Sequence, residues 1–272
     1  MGRSTYDTGM TRSWTLLALL ALSAGAQATA AETETGFLER TVESGGATHR
    51  YKVYVPPGFD AKKSWPVILF LHGAGESGTD NVQQTELGLG SVLRIDPARY
   101  PAVVVFPQAP RGEVWFGAQA RVATAALDRA MAEFHGDKDR VSLVGLSLGA
   151  YGVWVMAAEE PQRYAAIVAV AGGIVPPERV RARLSTLPPA LSAEDPYAAT
   201  AARVKHVPAW LFHGAEDQTV PVSGSRLMVE ALKKAGAAPR YTEYADGRHN
   251  IWTRAFAEPG LAEWLMARRR RP

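Results

Sequence analysis

The 272-residue chain has no cysteine. That single absence excludes disulfides, thiolate-built metal clusters and a cysteine nucleophile. Histidines and acids are not spaced as metal ligands either, so neither a metal nor a cofactor is expected. Charge of one sign is also scarce. The chain carries 30 Lys and Arg against 27 Asp and Glu, a net +3, and the tail Arg268-Arg269-Arg270-Arg271 alone exceeds that surplus. A nucleic-acid partner would need a basic face interleaved with aromatics, which is missing. The tail reads as a solvated end that complements the dipole of the last helix. No internal repeat is visible. What is plentiful is apolar content, 47%, enough for one sizeable core.

The N-terminus reads apart from the rest. Arg12-Ser13 precedes the apolar run Trp14-Thr15-Leu16-Leu17-Ala18-Leu19-Leu20-Ala21-Leu22, and small residues follow through Ala31. A charged stretch, a short apolar stretch and an Ala-x-Ala site form a secretory signal. Cleavage is expected after Ala30, with Ala28 as the alternative site and Met10 as an alternative start. The run is short for the ~20 residues of a membrane span. An uncleaved anchor is the competing reading, and no cysteine follows that could carry a lipid. The expected product is periplasmic or secreted, without a stable membrane anchor, and residues 31–272 form one domain.

Within that domain, apolar runs alternate with helical patterns. Residues 37–42 and 50–55 read as antiparallel edge strands. Residues 67–71, 102–106, 141–144, 165–170, 209–212 and 241–244 read as a parallel sheet. Helices are expected over 118–134, 149–159, 223–235 and the C-terminal segment to 268. This alternation predicts an α/β fold, a doubly wound, mostly parallel sheet of about eight strands with helices on both faces. Residues 172–207, rich in proline, alanine and arginine, interrupt it as a cap-like insertion. Such a stretch either carries function or decorates the surface.

The chemistry starts at Gly145-Leu146-Ser147-Leu148-Gly149, which lies between a strand and a helix. In that context G-x-S-x-G is a nucleophile elbow: a tight turn lifts one serine hydroxyl off the end of a strand. The competing reading is a glycine-rich turn whose serine caps a helix. A nucleophilic serine needs a base, and the base an orienting acid. Downstream, an apolar strand runs into Gly214-Ala215-Glu216-Asp217, and a second strand into Ala245-Asp246-Gly247-Arg248-His249. Asp217 and His249 thus sit past strand ends, where the carboxyl ends of a parallel sheet converge. Glu216 and Asp246 compete for the acid. The first lies along the same loop but points elsewhere, and the second is too close in sequence to His249. His213 and His72 read as structural, and His49, His135 and His206 as surface or strand-edge residues.

Gly73-Ala74-Gly75-Glu76-Ser77-Gly78 spells G-x-G-x-x-G after an apolar strand, the form of a dinucleotide fingerprint. Glu76 would place a carboxylate among amides meant for pyrophosphate, and no clean helix start follows. The turn suits an oxyanion hole better, with the backbone N–H groups of Ala74 and of Leu148 as donors.

The motifs Leu71-His72-Gly73-Ala74-Gly75, Gly145-Leu146-Ser147-Leu148-Gly149 and His213-Gly214-Ala215-Glu216-Asp217-Gln218-Thr219-Val220-Pro221 resemble the α/β-hydrolase superfamily. More narrowly they resemble its phospholipase/carboxylesterase group and the related bacterial "predicted peptidase" esterases. The segments 106–115 and 249–265 are similar to that group as well, and the resemblance covers about residues 50–268. It implies a serine carboxylesterase acting on a small-molecule or polymer-linked ester through an acyl-enzyme. A serine peptidase of the prolyl-oligopeptidase-like type and a non-catalytic binding protein on the same fold are the alternatives. Ala150 departs from the many relatives with glycine there, which should tighten the helix start. Trp115 and Tyr151 are candidate substrate-binding aromatics or core aromatics. Neither the ester nor the oligomeric state follows from the sequence.

Overall fold

The computed structural model describes residues 34–181 and 188–270. The expected leader, residues 1–30, lies outside them, as do 182–187 of the insertion. Strands β1 (Gly36–Ser44), β2 (Ala47–Val55), β3 (Trp65–Leu71), β4 (Val103–Pro107), β5 (Gly136–Leu146), β6 (Ala166–Val170), β7 (Ala209–Gly214) and β8 (Arg240–Tyr244) build one sheet, in the order β1-β2-β4-β3-β5-β6-β7-β8. The pairs β1–β2 and β2–β4 are antiparallel, and all others are parallel.

The parallel strands are apolar on both faces because both faces are covered. Side chains alternate across a strand. In β3, Val67, Leu69 and Leu71 enter one core while Ile68 and Phe70 enter the other. The first core is closed by α2 (Ala118–Glu133), α3 (Leu148–Glu159), α5 (Pro196–Val204) and α6 (Ser223–Lys234). The second is closed by α1 (Leu89–Ile95), α7 (Trp252–Phe256) and α8 (Leu261–Met266). A short helix, α4 (Glu178–Arg181), stands in the insertion. The doubly wound sheet is the one the alternation predicts.

Four local features differ from the sequence reading. Strand β5 begins at Gly136, not at 141, because Gly136 pairs with Trp65 and Arg140 bonds the Ser64 carbonyl and Asp137. Its charged start carries no hydropathy signal. Helix α1 is hidden by glycines in sequence. It forms because Leu89, Val92 and Leu93 are buried in the second core, a case of packing overriding weak propensity. The C-terminal helix is two helices, broken at Gly260, whose φ of +78° suits glycine. The tail is also less free than a solvated end: Arg269 pairs with Asp137 at 2.9 Å and Arg270 with Asp139 at 2.8 Å.

Candidate active site

Strand β5 delivers Ser147 to the carboxyl end of the sheet. Ser147 has φ +49° and ψ −115°, a strained backbone for any residue with a side chain. The elbow is held by close packing on both sides. A Cβ at Gly149 would lie 2.0 Å from the Leu71 carbonyl oxygen, and one at Gly145 would lie 2.6 Å from that of Gly149. The Ser147 N–H donates to the Val170 carbonyl at 2.8 Å. Ala150 is fully buried, and its Cβ leaves no room for any side chain at Gly172.

The loops after β7 and β8 are clamped to each other. Ala215 N–H donates to the Tyr244 carbonyl at 2.9 Å and Glu216 N–H to that of Gly247 at 2.8 Å. This brings the three expected side chains into one hydrogen-bonded line. The Ser147 hydroxyl meets His249 Nε2 at 2.9 Å, and His249 Nδ1 meets Asp217 Oδ2 at 2.7 Å. Asp217 Oδ1 accepts the N–H groups of Thr219 and Val220, each at 2.9 Å. The competing acids are elsewhere. Asp246 pairs with Arg254 on the surface, and Glu216 faces Arg248. The Trp252 ring packs edge-to-face on His249, with centroids 4.9 Å apart.

A cavity of about 560 Å³ opens over Ser147 and His249, within the range of small-ligand sites. Ala74 and Leu148 both line it. Each is the first residue of a helical turn, so its N–H has no acceptor inside that turn. Gly73 lets the two loops meet, since a Cβ there would lie 2.8 Å from Leu146 Cδ1. Of the two aromatics, Tyr151 lines the cavity and Trp115 does not. Trp115 is 1% exposed, and its Nε1–H donates to the His72 carbonyl at 2.9 Å. Its place is in the core beneath the 73–76 turn, where a Cβ at Gly152 would strike it. His72 is structural as expected. Its Nε2 accepts the Ala109 N–H at 3.0 Å, and burial pulls its pKa down to about 4.

Several contributors escaped the sequence reading. Glu76 lines the cavity, and its Oε2 accepts the Gly73 N–H at 2.9 Å. Burial pushes its carboxyl above the ordinary range. It had been visible only as an obstacle to phosphate binding. Pro177, from the insertion, and Trp252 also line the cavity. Nothing in their spacing marks them, because tertiary folding alone brings them there. Among the described residues no group of His, Asp and Glu could hold a metal ion, and no helix is long and apolar enough to cross a membrane.

Comparison with known proteins agrees with this architecture. The model of the family described as "Putative esterase" matches residues 44–258. A curated relative, Dipeptidyl-peptidase 5 of Porphyromonas gingivalis, is 29% identical over 128 residues. The match covers 44% of this chain, and the chain spans only 19% of that protein. Among solved structures, a thermostable esterase superposes with a TM-score of 0.70 and 26% identity, over 86% of this chain and 63% of its own. A lipase/esterase from Lactobacillus plantarum superposes with a TM-score of 0.65 and 14% identity, over 86% of this chain and all of its own. The fold is that of the α/β-hydrolases.

Proposed function

The chain belongs to the Esterase family, and on that footing we propose that it cleaves carboxylic esters through a Ser147–His249–Asp217 triad. The observation that supports this most is the unbroken line of hydrogen bonds from Ser147 through His249 to a buried Asp217. That arrangement is what proton transfer from a serine hydroxyl requires. Ser147 Oγ attacks the ester carbonyl while His249 Nε2 takes its proton. Asp217 keeps the Nδ1 proton in place and stabilises the imidazolium. The N–H groups of Ala74 and Leu148 receive the oxyanion, and losing one such donor costs about 3 kcal/mol of transition-state stabilisation. His249 then protonates the departing alcohol. Water, activated by the same histidine, cleaves the acyl-enzyme. The cavity is walled by Val114, Leu146, Tyr151 and Val220 on its apolar side, which suits an acyl group.

The dipeptidyl-peptidase relative supports a second reading, amide cleavage by the same groups. A p-nitrophenyl ester series from acetate to palmitate, run beside a peptide anilide and with Ser147→Ala as control, separates the two. We expect ester turnover that Ser147→Ala abolishes. Activity on the anilide with none on any ester would replace the esterase reading with the peptidase one. A fully active Ser147→Ala enzyme would discard the mechanism.

A further inference from the structure

We infer that His213 is a positioning residue for Asp217: its neutral ring gives the carboxylate its fourth hydrogen bond and holds Oδ2 on His249. The inference rests on the serine-hydrolase reading above.

The Asp217 side chain is 0% exposed, so each of its lone pairs must be met within the protein. An ionised carboxylate offers about four acceptor sites. Thr219 and Val220 N–H fill those of Oδ1. His249 Nδ1 at 2.7 Å and His213 Nε2 at 3.2 Å fill those of Oδ2. The acid therefore sits between two imidazoles, of which the mechanism uses one.

Proton placement on His213 follows from its neighbours. Its Nε2 faces Asp217 Oδ2 and, at 3.1 Å, the Val220 carbonyl. Both are acceptors, so Nε2 carries a proton. The ring is fully buried, and that burial holds its pKa below the ordinary histidine range. With a neutral ring, Nδ1 must accept, and the Ser225 hydroxyl, 2.7 Å away, donates to it. The Gly172 carbonyl, 3.0 Å from Ser225 Oγ, competes for that single proton. If the hydroxyl turned to Gly172, Nδ1 would need a proton of its own and His213 would be a cation. It would then compete with His249 for the charge of Asp217. Two further titratable groups act on His213: His249, across Asp217, and Glu243 on β8, which is paired with Arg226 at 2.6 Å. Ser225 thus fixes the tautomer of His213, and His213 fixes the rotation of the acid. The positive charge of the transition state is left to His249 alone.

The same contacts join the acid loop to the root of the 172–207 segment. Gly172 lies against the elbow, since a Cβ there would come 3.1 Å from the Ser147 carbonyl oxygen.

The test is the rate at which a fluorophosphonate probe labels Ser147, measured against pH. This readout needs the nucleophile and base but no knowledge of the ester. The variants are His213→Leu, His213→Gln and Ser225→Ala. In His213→Leu we expect labelling to slow roughly 10-fold, the scale of one hydrogen bond to a charged group. The acid limb should move to higher pH, because Oδ2 with one donor fewer binds the imidazolium more strongly. His213→Gln should restore most of the rate, since its amide nitrogen reaches the place of Nε2. Ser225→Ala, which leaves Nδ1 without its donor and makes the His213 ring easier to protonate beside Asp217, should also slow labelling but move the acid limb to lower pH, which keeps the test decisive if His213→Leu does not fold. A merely structural role would lower the melting temperature and leave the acid limb where it was. An unmoved limb and rate in His213→Leu or, should that fail to fold, in Ser225→Ala overturns the inference, as does a His213→Gln enzyme no faster than His213→Leu. A wild-type protein that is never labelled overturns the serine-hydrolase reading and this inference with it.

Discussion

Asp217 is the residue on which the site turns, and its sequence context shows how much one position reveals. The choice among Asp217, Glu216 and Asp246 could be made from spacing past strand ends, and the structure brings only Asp217 to His249. His213 was legible as a hydrogen-bonding residue but not as a partner of the acid, because the contact depends on the turn between them and on Ser225. His72 shows the other side of burying an imidazole. Its pKa is held at about 4 in the fold against an ordinary value of 6.5. Between those values the unfolded chain binds a proton that the native chain refuses, so stability is complete above the upper value and falls as pH drops toward the lower. The loss from this residue should reach about 2 kcal/mol between pH 7 and pH 5. Urea midpoints at the two pH values should show it in the wild type and show less of it in His72→Gln. An equal pH dependence in both proteins would remove His72 as its source.

At the scale of elements, the start of α3 is the tightest junction. Glycines around the cavity look alike in sequence, yet they do different things. Gly149 lets the helix touch the end of β3, and a Cβ there meets backbone that cannot move aside. Gly75, in the turn after β3, has open space around its missing Cβ. Gly149→Ala should therefore destabilise the protein by about 3 kcal/mol, whereas Gly75→Ala should leave stability unchanged within about 0.5 kcal/mol. Denaturant midpoints of the pair test the contrast, and equal values would refute it. Continuous apolar strands such as β3 and long helices such as α2 were readable. Helix α1 and the charged start of β5 were not, because their existence depends on a partner surface rather than on their own pattern.

For the whole molecule, the sheet is covered on both faces by two apolar cores, and their helices come from distant parts of the chain. The cavity draws its walls from the 73–77 turn, the 111–114 loop, the elbow, the insertion and the loops after β7 and β8. No stretch of sequence contains it. The leader proposed for residues 1–30 belongs to this scale as well. Expressed in a bacterial host, the full chain should yield an extracytoplasmic product whose intact mass begins at Ala31, or at Thr29 if the alternative site is used. A product retained in the cytoplasm with its apolar run intact would remove export from the reading.

The sequence by itself determined the fold class and the candidate nucleophile, base and acid. These rest on local signals: strand periodicity, a strained glycine-flanked turn, and polar residues placed just past strand ends. Only the tertiary structure decided which aromatic faces the cavity. Tyr151, on α3, lines it, while Trp115 is held in the core under the 73–76 turn by its bond to the His72 carbonyl. It also decided that a second imidazole stands on Asp217 and that a buried Glu76 lines the cavity over Ser147. Those facts depend on how loops from separate strands pack at one end of the sheet, and packing between residues far apart in the chain leaves no period in the sequence.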